Sequence, residues 1–283
     1  MLVVHVDAFT REPFAGNPAA VCLLSQPRDD SWMQSLALEL NLPMTAFVIR
    51  DGEAGSFRLR WFGVAGETRL CGHATLAAAH VLWESAEVEP GAPIRFLTAS
   101  GAMHARQLPE GWIELDFPAE RAAAETRQAV VEALGVRSLW MGRNRLHFLV
   151  EAESEQAVRA ARPDLRRLAA VLPPARGVIV TARGAHPARD GYDFVSRFFA
   201  PPMGIDEDQA TGSAHCALGP YWGEKLGKTE MDAFQASPRG GTLRVRVAGE
   251  RVHIAGQAVS LLRSQLLEQF EAKVAQFAGE GRE

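Results

Sequence analysis

Cysteine is scarce in this chain of 283 residues: Cys22, Cys71 and Cys216 stand far apart, too few for a disulfide framework and with no pair at metal-ligand spacing. A reducing compartment, the cytoplasm, is expected. Long apolar runs are also missing, since none approaches the roughly 18 residues of a membrane helix, and no membrane partner is expected. The opening Met-Leu-Val-Val-His-Val-Asp lacks the basic region, apolar core and cleavage site of a secretory leader. Nor is there an excess of positive charge: 30 Lys and Arg against 34 Asp and Glu leave a net charge of −4, which gives no footprint for nucleic acid. Low-complexity segments and repeats visible as sequence identity are absent.

What is present suits a globular protein. With 47% hydrophobic and 23% charged residues, the chain can bury a large core and form two domains of ordinary size. Residues 2–8, 19–24 and 57–62 read as strands, 42–49 moves into another, and 31–40 carries apolar residues at helical spacing, ending near Asn41. Residues 10–18, with Pro13, Gly16 and Pro18, read as a tight loop in which Asn17 either turns the chain or presents an amide to a ligand. Three alternating runs, 94–97, 102–108 and 112–117, predict antiparallel strands closed by Pro118, where a first domain (1–118) gives way to a second (119–283). Small helix formers fill 119–124. Helices are predicted at 126–134, 154–161 and 165–172, strands at 145–150, 178–181 and 193–199, and a hairpin at 243–254. Residues 259–267 read as a last strand or helix, and a closing helix is expected to pack back on the first domain.

Two stretches carry the chemistry. Residues 204–219 place the acids Asp206, Glu207 and Asp208 before Thr211-Gly212-Ser213 and an apolar run, which predicts a loop feeding a helix whose first N–H groups are free to hold an anion. Asp208 or Thr211 could equally serve only as a helix cap. Residues 68–82 contain Cys71-Gly72-His73 after a strand and before small apolar residues, a second unit of the same kind. Two helix starts facing one cleft would hold a small anionic metabolite between two partial positive charges.

Several strings then resemble one family: Asn17-Pro18-Ala19-Ala20-Val21, Trp61-Phe62, Leu70 to Thr75, Phe194 to Pro201, Asp208 with Thr211-Gly212-Ser213-Ala214-His215, Pro220-Tyr221-Trp222 and Arg239-Gly240-Gly241. They occur in order along the chain and are similar to those of the PhzF-like isomerases of phenazine biosynthesis. The resemblance implies a mixed α/β (α+β) fold like that of diaminopimelate epimerase. Two pseudo-symmetric domains would each wrap a curved, mostly antiparallel sheet around a central helix, with the active site between them. It also implies a homodimer, no metal or organic cofactor, and isomerisation by acid/base catalysis.

In that family the proton is carried by a glutamate in a Ser-Glu-Thr-Ala-Phe string, and here Met44 stands at that position in Pro43-Met44-Thr45-Ala46-Phe47. A thioether carries no titratable proton. The resemblance still assigns Asp208 and His73 as polar catalytic groups, with Gly72, Gly212, Ser213 and Asn17 as ligand contacts. A His73–Asp208 pair is one replacement for the missing acid, Cys71 as a thiolate at a helix start is a second, and Glu39 is a third if its side chain enters the cleft. Arg69 is expected to add positive charge near the cleft. His215, Cys216 and Cys22 read as packing residues. Two functions follow: an isomerase or epimerase of a small cyclic or amino carboxylic acid, or a catalytically silent protein that binds a metabolite or partner on the same scaffold.

Overall fold

The computed structural model describes residues 1–267. The first half comprises β1 (Leu2–Ala8), β2 (Asn17–Leu24), α1 (Asp30–Leu40), β3 (Thr45–Arg50), β4 (Ser56–Gly63), β5 (Gly66–Thr68), α2 (Gly72–Glu84), β6 (Ile94–Thr98), β7 (Gly101–Gln107) and β8 (Ile113–Pro118). The second comprises β9 (Ala123–Ala124), α3 (Gln128–Leu134), β10 (Ser138–Arg143), β11 (His147–Ala152), α4 (Glu155–Ala160), α5 (Leu165–Val171), β12 (Gly177–Arg183), α6 (Pro187–Asp190), β13 (Phe194–Ala200), β14 (Ile205–Asp208), α7 (Gly212–Leu226), β15 (Glu230–Gln235), β16 (Gly241–Ala248), β17 (Arg251–Gly256) and β18 (Ala258–Gln265).

The two halves repeat one topology. In the first, β1–β2 is antiparallel, β2–β3 parallel, β3–β4 antiparallel, β4–β6 parallel, and β6–β7 and β7–β8 antiparallel. The second gives the same series as β10–β11, β11–β12, β12–β13, β13–β15, β15–β16 and β16–β17. Antiparallel pairing of β8 with β17 joins the halves into one ladder. After β17 the chain crosses back, so that β18 pairs antiparallel with β1 as β9 pairs with β10. Ser260 and Arg263 on β18 both bond Glu84 of α2, at 2.6 and 2.9 Å.

Each sheet curls around its own helix because those helices are apolar on nearly every side. Ten of the 13 residues of α2 are buried, many of them alanine, so its strands approach closely. The same central core includes α7 through Ala214, Cys216, Ala217, Leu218 and Trp222. A second core lies between the outer sheet face of the second half and α3, α4 and α5, and a third holds α1 against Phe47 and Phe62. On α1, the Asp29 carboxylate accepts from the Trp32 N–H and Asn41 closes the helix in the left-handed region (φ 48°).

Three expectations are corrected and one left open is resolved. Residues 119–124 form no helix: they offer no apolar stripe to bury, and the Ala119 and Glu120 N–H groups bond to Glu250 and Cys216 carbonyls instead. Asn17 is not in a surface turn but is the fully buried first residue of β2. The segment 259–267 is a strand, with a partner ladder on β1 that the local sequence does not reveal. Any closing helix beyond it lies outside the described residues. Residues 205–208, read as part of a loop, form β14 because they pair antiparallel with β13, and strands β10 and β15 were not expected at all.

Candidate active site

Both central helices begin at the same place. A Cβ built on Gly72 would lie 3.2 Å from the Gly212 Cα, and one on Gly212 would lie 3.3 Å from the Gly72 Cα. Only residues without side chains let the two helix starts approach this closely. Neither helix has a side-chain cap: Cys71 precedes α2 and Thr211 precedes α7, and neither side chain bonds its first turn. The uncapped N–H groups of two helices therefore converge, each end carrying roughly half a positive charge. The alternative of a plain cap at Asp208 or Thr211 is overturned, because the Thr211 hydroxyl donates away from the helix, to Asp208.

A cavity of about 370 Å³ opens at this junction. Pro43, Met44, Cys71, Gly72, His73 and Phe117 line it from the first half, and His147, Phe198, Asp208, Thr211, Gly212 and Ser213 from the second. Of the residues expected at the site, Met44, Cys71, Gly72, His73, Asp208, Gly212 and Ser213 are in this wall, whereas Asn17, Glu39 and Arg69 are not. Asn17 stands behind it, where its Nδ2 donates to Asp208 Oδ1 at 2.7 Å and to the Ala210 carbonyl at 2.9 Å.

The Asp208 carboxylate is held from both sides. Oδ1 accepts from Asn17 and Oδ2 from the Thr211 hydroxyl at 2.6 Å. Behind them Gln235 is fully buried; its Nε2 donates to the Asp208 carbonyl and to Thr211 Oγ1, and its Oε1 accepts from the Thr211 N–H at 2.8 Å. Of the two neighbouring acids, Glu207 is engaged by Arg197 through two bonds of 2.7 and 2.8 Å, and Asp206 is exposed. Asp208 thus faces the cavity as a carboxylate of fixed orientation. No sequence signal marked Gln235.

His73 is buried, with Nδ1 3.5 Å from Cys71 Sγ and Nε2 without a hydrogen-bond partner among the described residues. Burial pushes its pKa below the ordinary histidine value, against the opposing pull of Asp208. The imidazole is neutral at neutral pH. Burial pushes the Cys71 thiol up to about 12, so it keeps its proton and is disfavoured as a base. Cys22, Cys216 and His215 are buried packing residues; His215 Nδ1 donates to the Thr211 carbonyl at 2.8 Å.

Met44 packs on the central core, with Cε 3.5 Å and Sδ 3.8 Å from where a Cβ on Gly63 would lie. Its thioether covers the end of β4 rather than offering a polar atom. Glu39 is exposed on α1 and is not in the cavity wall, so it does not replace the missing acid. Arg69 is likewise exposed and turns to the Ala99 carbonyl at 3.3 Å, which removes the expected extra cation. His147, unanticipated from the sequence, donates to or accepts from Ser213 Oγ at 3.2 Å. Its signal lies in the repeat: His147 opens β11 as Asn17 opens β2.

Comparison with known proteins extends this picture. A sequence profile described as phenazine biosynthesis-like protein (PhzC-PhzF) matches residues 6–264. The chain is 48% identical over 266 residues to an uncharacterized isomerase of Halalkalibacterium halodurans, covering 93% of this chain and 97% of that protein. A crystal structure of a PhzF-family phenazine biosynthesis protein from Enterococcus faecalis matches with a TM-score of 0.87 at 38% identity, covering 94% of this chain and 98% of that one. A probable proline racemase of Agrobacterium radiobacter shares the fold at 14% identity and a TM-score of 0.62, with 94% of this chain and 92% of that one covered.

Proposed function

The chain belongs to the phenazine biosynthesis-like family of PhzF proteins, and from that membership we propose that it is an isomerase moving a proton on a small cyclic or amino carboxylic acid. The observation that carries this reading is the oriented Asp208 carboxylate beside a neutral His73 with an unpaired Nε2, where two uncapped helix starts meet. The substrate carboxylate sits against the helix starts, where backbone N–H groups and Ser213 receive it. Asp208 takes the proton from the adjacent carbon. His73, whose ring hydrogen stands on Nε2 because the Cys71 thiol donates to Nδ1, hydrogen-bonds the substrate as negative charge builds, and the protonated Asp208 returns the proton to the new carbon, so that both groups end as they began.

Met44 favours a second reading. Its thioether occupies the family's glutamate position and can neither give nor take a proton, which would make the chain a binder of the same anions without turnover. Proton NMR in deuterated water separates the two, with dihydro-3-hydroxyanthranilate and a panel of small cyclic and amino carboxylic acids. The isomerase reading expects deuterium incorporation by the unaltered protein that disappears in Asp208→Asn. Incorporation only after Met44→Glu would establish the silent binder instead.

A homodimer is part of the same proposal and rests on the family resemblance, and a cytoplasmic location rests on the three scattered cysteines. Sedimentation equilibrium at a few concentrations tests the dimer. Among the described residues no helix is long and apolar enough to cross a membrane.

A further inference from the structure

Ser213 and His147 stand at the start of α7 in an arrangement with two chemical meanings. A histidine nitrogen 3.2 Å from a serine hydroxyl, beside converging backbone N–H groups, is what a serine nucleophile with its base would look like. It is also what a hydrogen-bond donor with its positioner would look like. The position of one hydrogen decides between them.

That hydrogen is placed by the backbone. The Gly177 N–H points at His147 Nδ1 at 3.4 Å, and a backbone amide can only donate, so Nδ1 carries the lone pair. The ring hydrogen is then on Nε2, the atom facing Ser213 Oγ. His147 is 7% exposed, with its ring edge-on to Phe198 at 4.7 Å between centroids, so rotation to exchange the two nitrogens is blocked. A charged ring, with hydrogen on both nitrogens, is disfavoured because burial and the nearby Arg176 and Arg145 push the pKa to about 4. His147 therefore donates to Ser213 and cannot take its proton, which excludes the nucleophile. The Ser213 hydroxyl, already accepting, has no acceptor for its own hydrogen among the described residues, and it lines the cavity.

We propose that His147 is a positioning residue that locks Ser213 as a donor into the cavity, so that the ligand group received there is an acceptor without hydrogen, a carboxylate or carbonyl oxygen, and never an amine or amide N–H. This rests on the reading of the cleft as a carboxylate site and adds the side chain that enforces it. An amide nitrogen presented to Ser213 would bring hydrogen against hydrogen.

Two measurements test it. The first is the nitrogen-15 NMR spectrum of histidine-labelled protein, with His147 assigned by its loss in His147→Phe. A bare Nδ1 and a protonated Nε2 are expected; hydrogen on Nδ1 or a charged ring at neutral pH overturns the proposal whatever the cavity binds. The second is calorimetric titration with anthranilate and anthranilamide, which differ only in the carboxylate. The unaltered protein is expected to prefer anthranilate by at least about tenfold, the consequence of one buried donor left facing another. His147→Phe keeps the contact with Phe198 and removes both nitrogens, freeing Ser213 to rotate and accept. Its preference should fall toward unity, as in Ser213→Ala, while His147→Gln, with an amide N–H near the Nε2 position, should restore most of it. An unchanged ratio in His147→Phe overturns the role of His147. Failure of anthranilate to bind overturns the carboxylate reading of the cleft, and the selectivity with it, a result distinct from a wrong tautomer.

Discussion

Asn17 holds two acceptors at once, Asp208 Oδ1 and the Ala210 carbonyl, and it does so from the opposite half of the chain. Asn17→Ala leaves both unsatisfied in a dry setting, so it should cost about 2 kcal/mol in urea unfolding and release Asp208 from its orientation. Any deuterium exchange supported by the unaltered protein should drop with it. Two histidines give a second prediction at this scale. Burial pushes His147 and His215 down to about 4, whereas an unfolded histidine titrates near 6.5. Because the folded values are depressed, the unfolded chain binds more protons between those limits. The stabilising contribution is complete above about pH 6.5 and is lost as the pH falls toward 4, by up to about 3 kcal/mol for each histidine. Urea midpoints measured from pH 7.5 to 4 should follow that slope, and His215→Gln should flatten part of it.

The unit of the site at the next scale is the pair of helix starts. In Gly72→Ala the new methyl meets the Gly212 Cα at 3.2 Å, backbone against which no side chain can yield. Alanine favours the helix by up to about 1 kcal/mol over glycine, which offsets much of the clash. The melting temperature should therefore change little, while affinity for anthranilate falls by about tenfold or more as the two starts part; unchanged affinity in calorimetry would contradict the cradle. Elements differ in how plainly their sequences announce them. The core of α2 and the β16–β17 hairpin were legible because local spacing and turn chemistry dictate them. β15 was not, although Met231, Ala233 and Gln235 alternate inward, because the third of these is a buried polar residue that breaks the apolar pattern. Gln235 is polar because Asp208 and Thr211 need it, so function itself hid the strand. β10, with a register shift after Ser138, has no alternation to read. Of the site, His73, Asp208 and the glycines were legible as motifs, whereas His147 and Gln235 act through distant partners that only the folded chain brings together.

Across the whole molecule, the two halves are fastened by an ion pair whose carboxylate is buried and whose guanidinium is partly exposed. Arg239 reaches from the second half to Asp7 Oδ1 at 2.7 Å and to the Ala15 and Gly16 carbonyls, and Asp7 is fully buried. Removing the cation strands that carboxylate, so Arg239→Ala should destabilise by about 3–5 kcal/mol in urea unfolding. An isosteric Asp7→Asn, Arg239→Met pair should recover most of it. The crossing of β18 onto β1 bears on a different matter, the order in which the chain can fold. β1 leaves the ribosome long before β18, so its second hydrogen-bonding edge stays open until residue 258 has been made. Its partner is separated from it by nearly the entire sequence, so that edge closes last and slowly. Until then an apolar strand, Leu-Val-Val-His-Val-Asp-Ala, is available to another nascent copy. A stalled or truncated chain ending before β18 is thus an aggregation hazard by construction, because only β18 covers the second edge of β1.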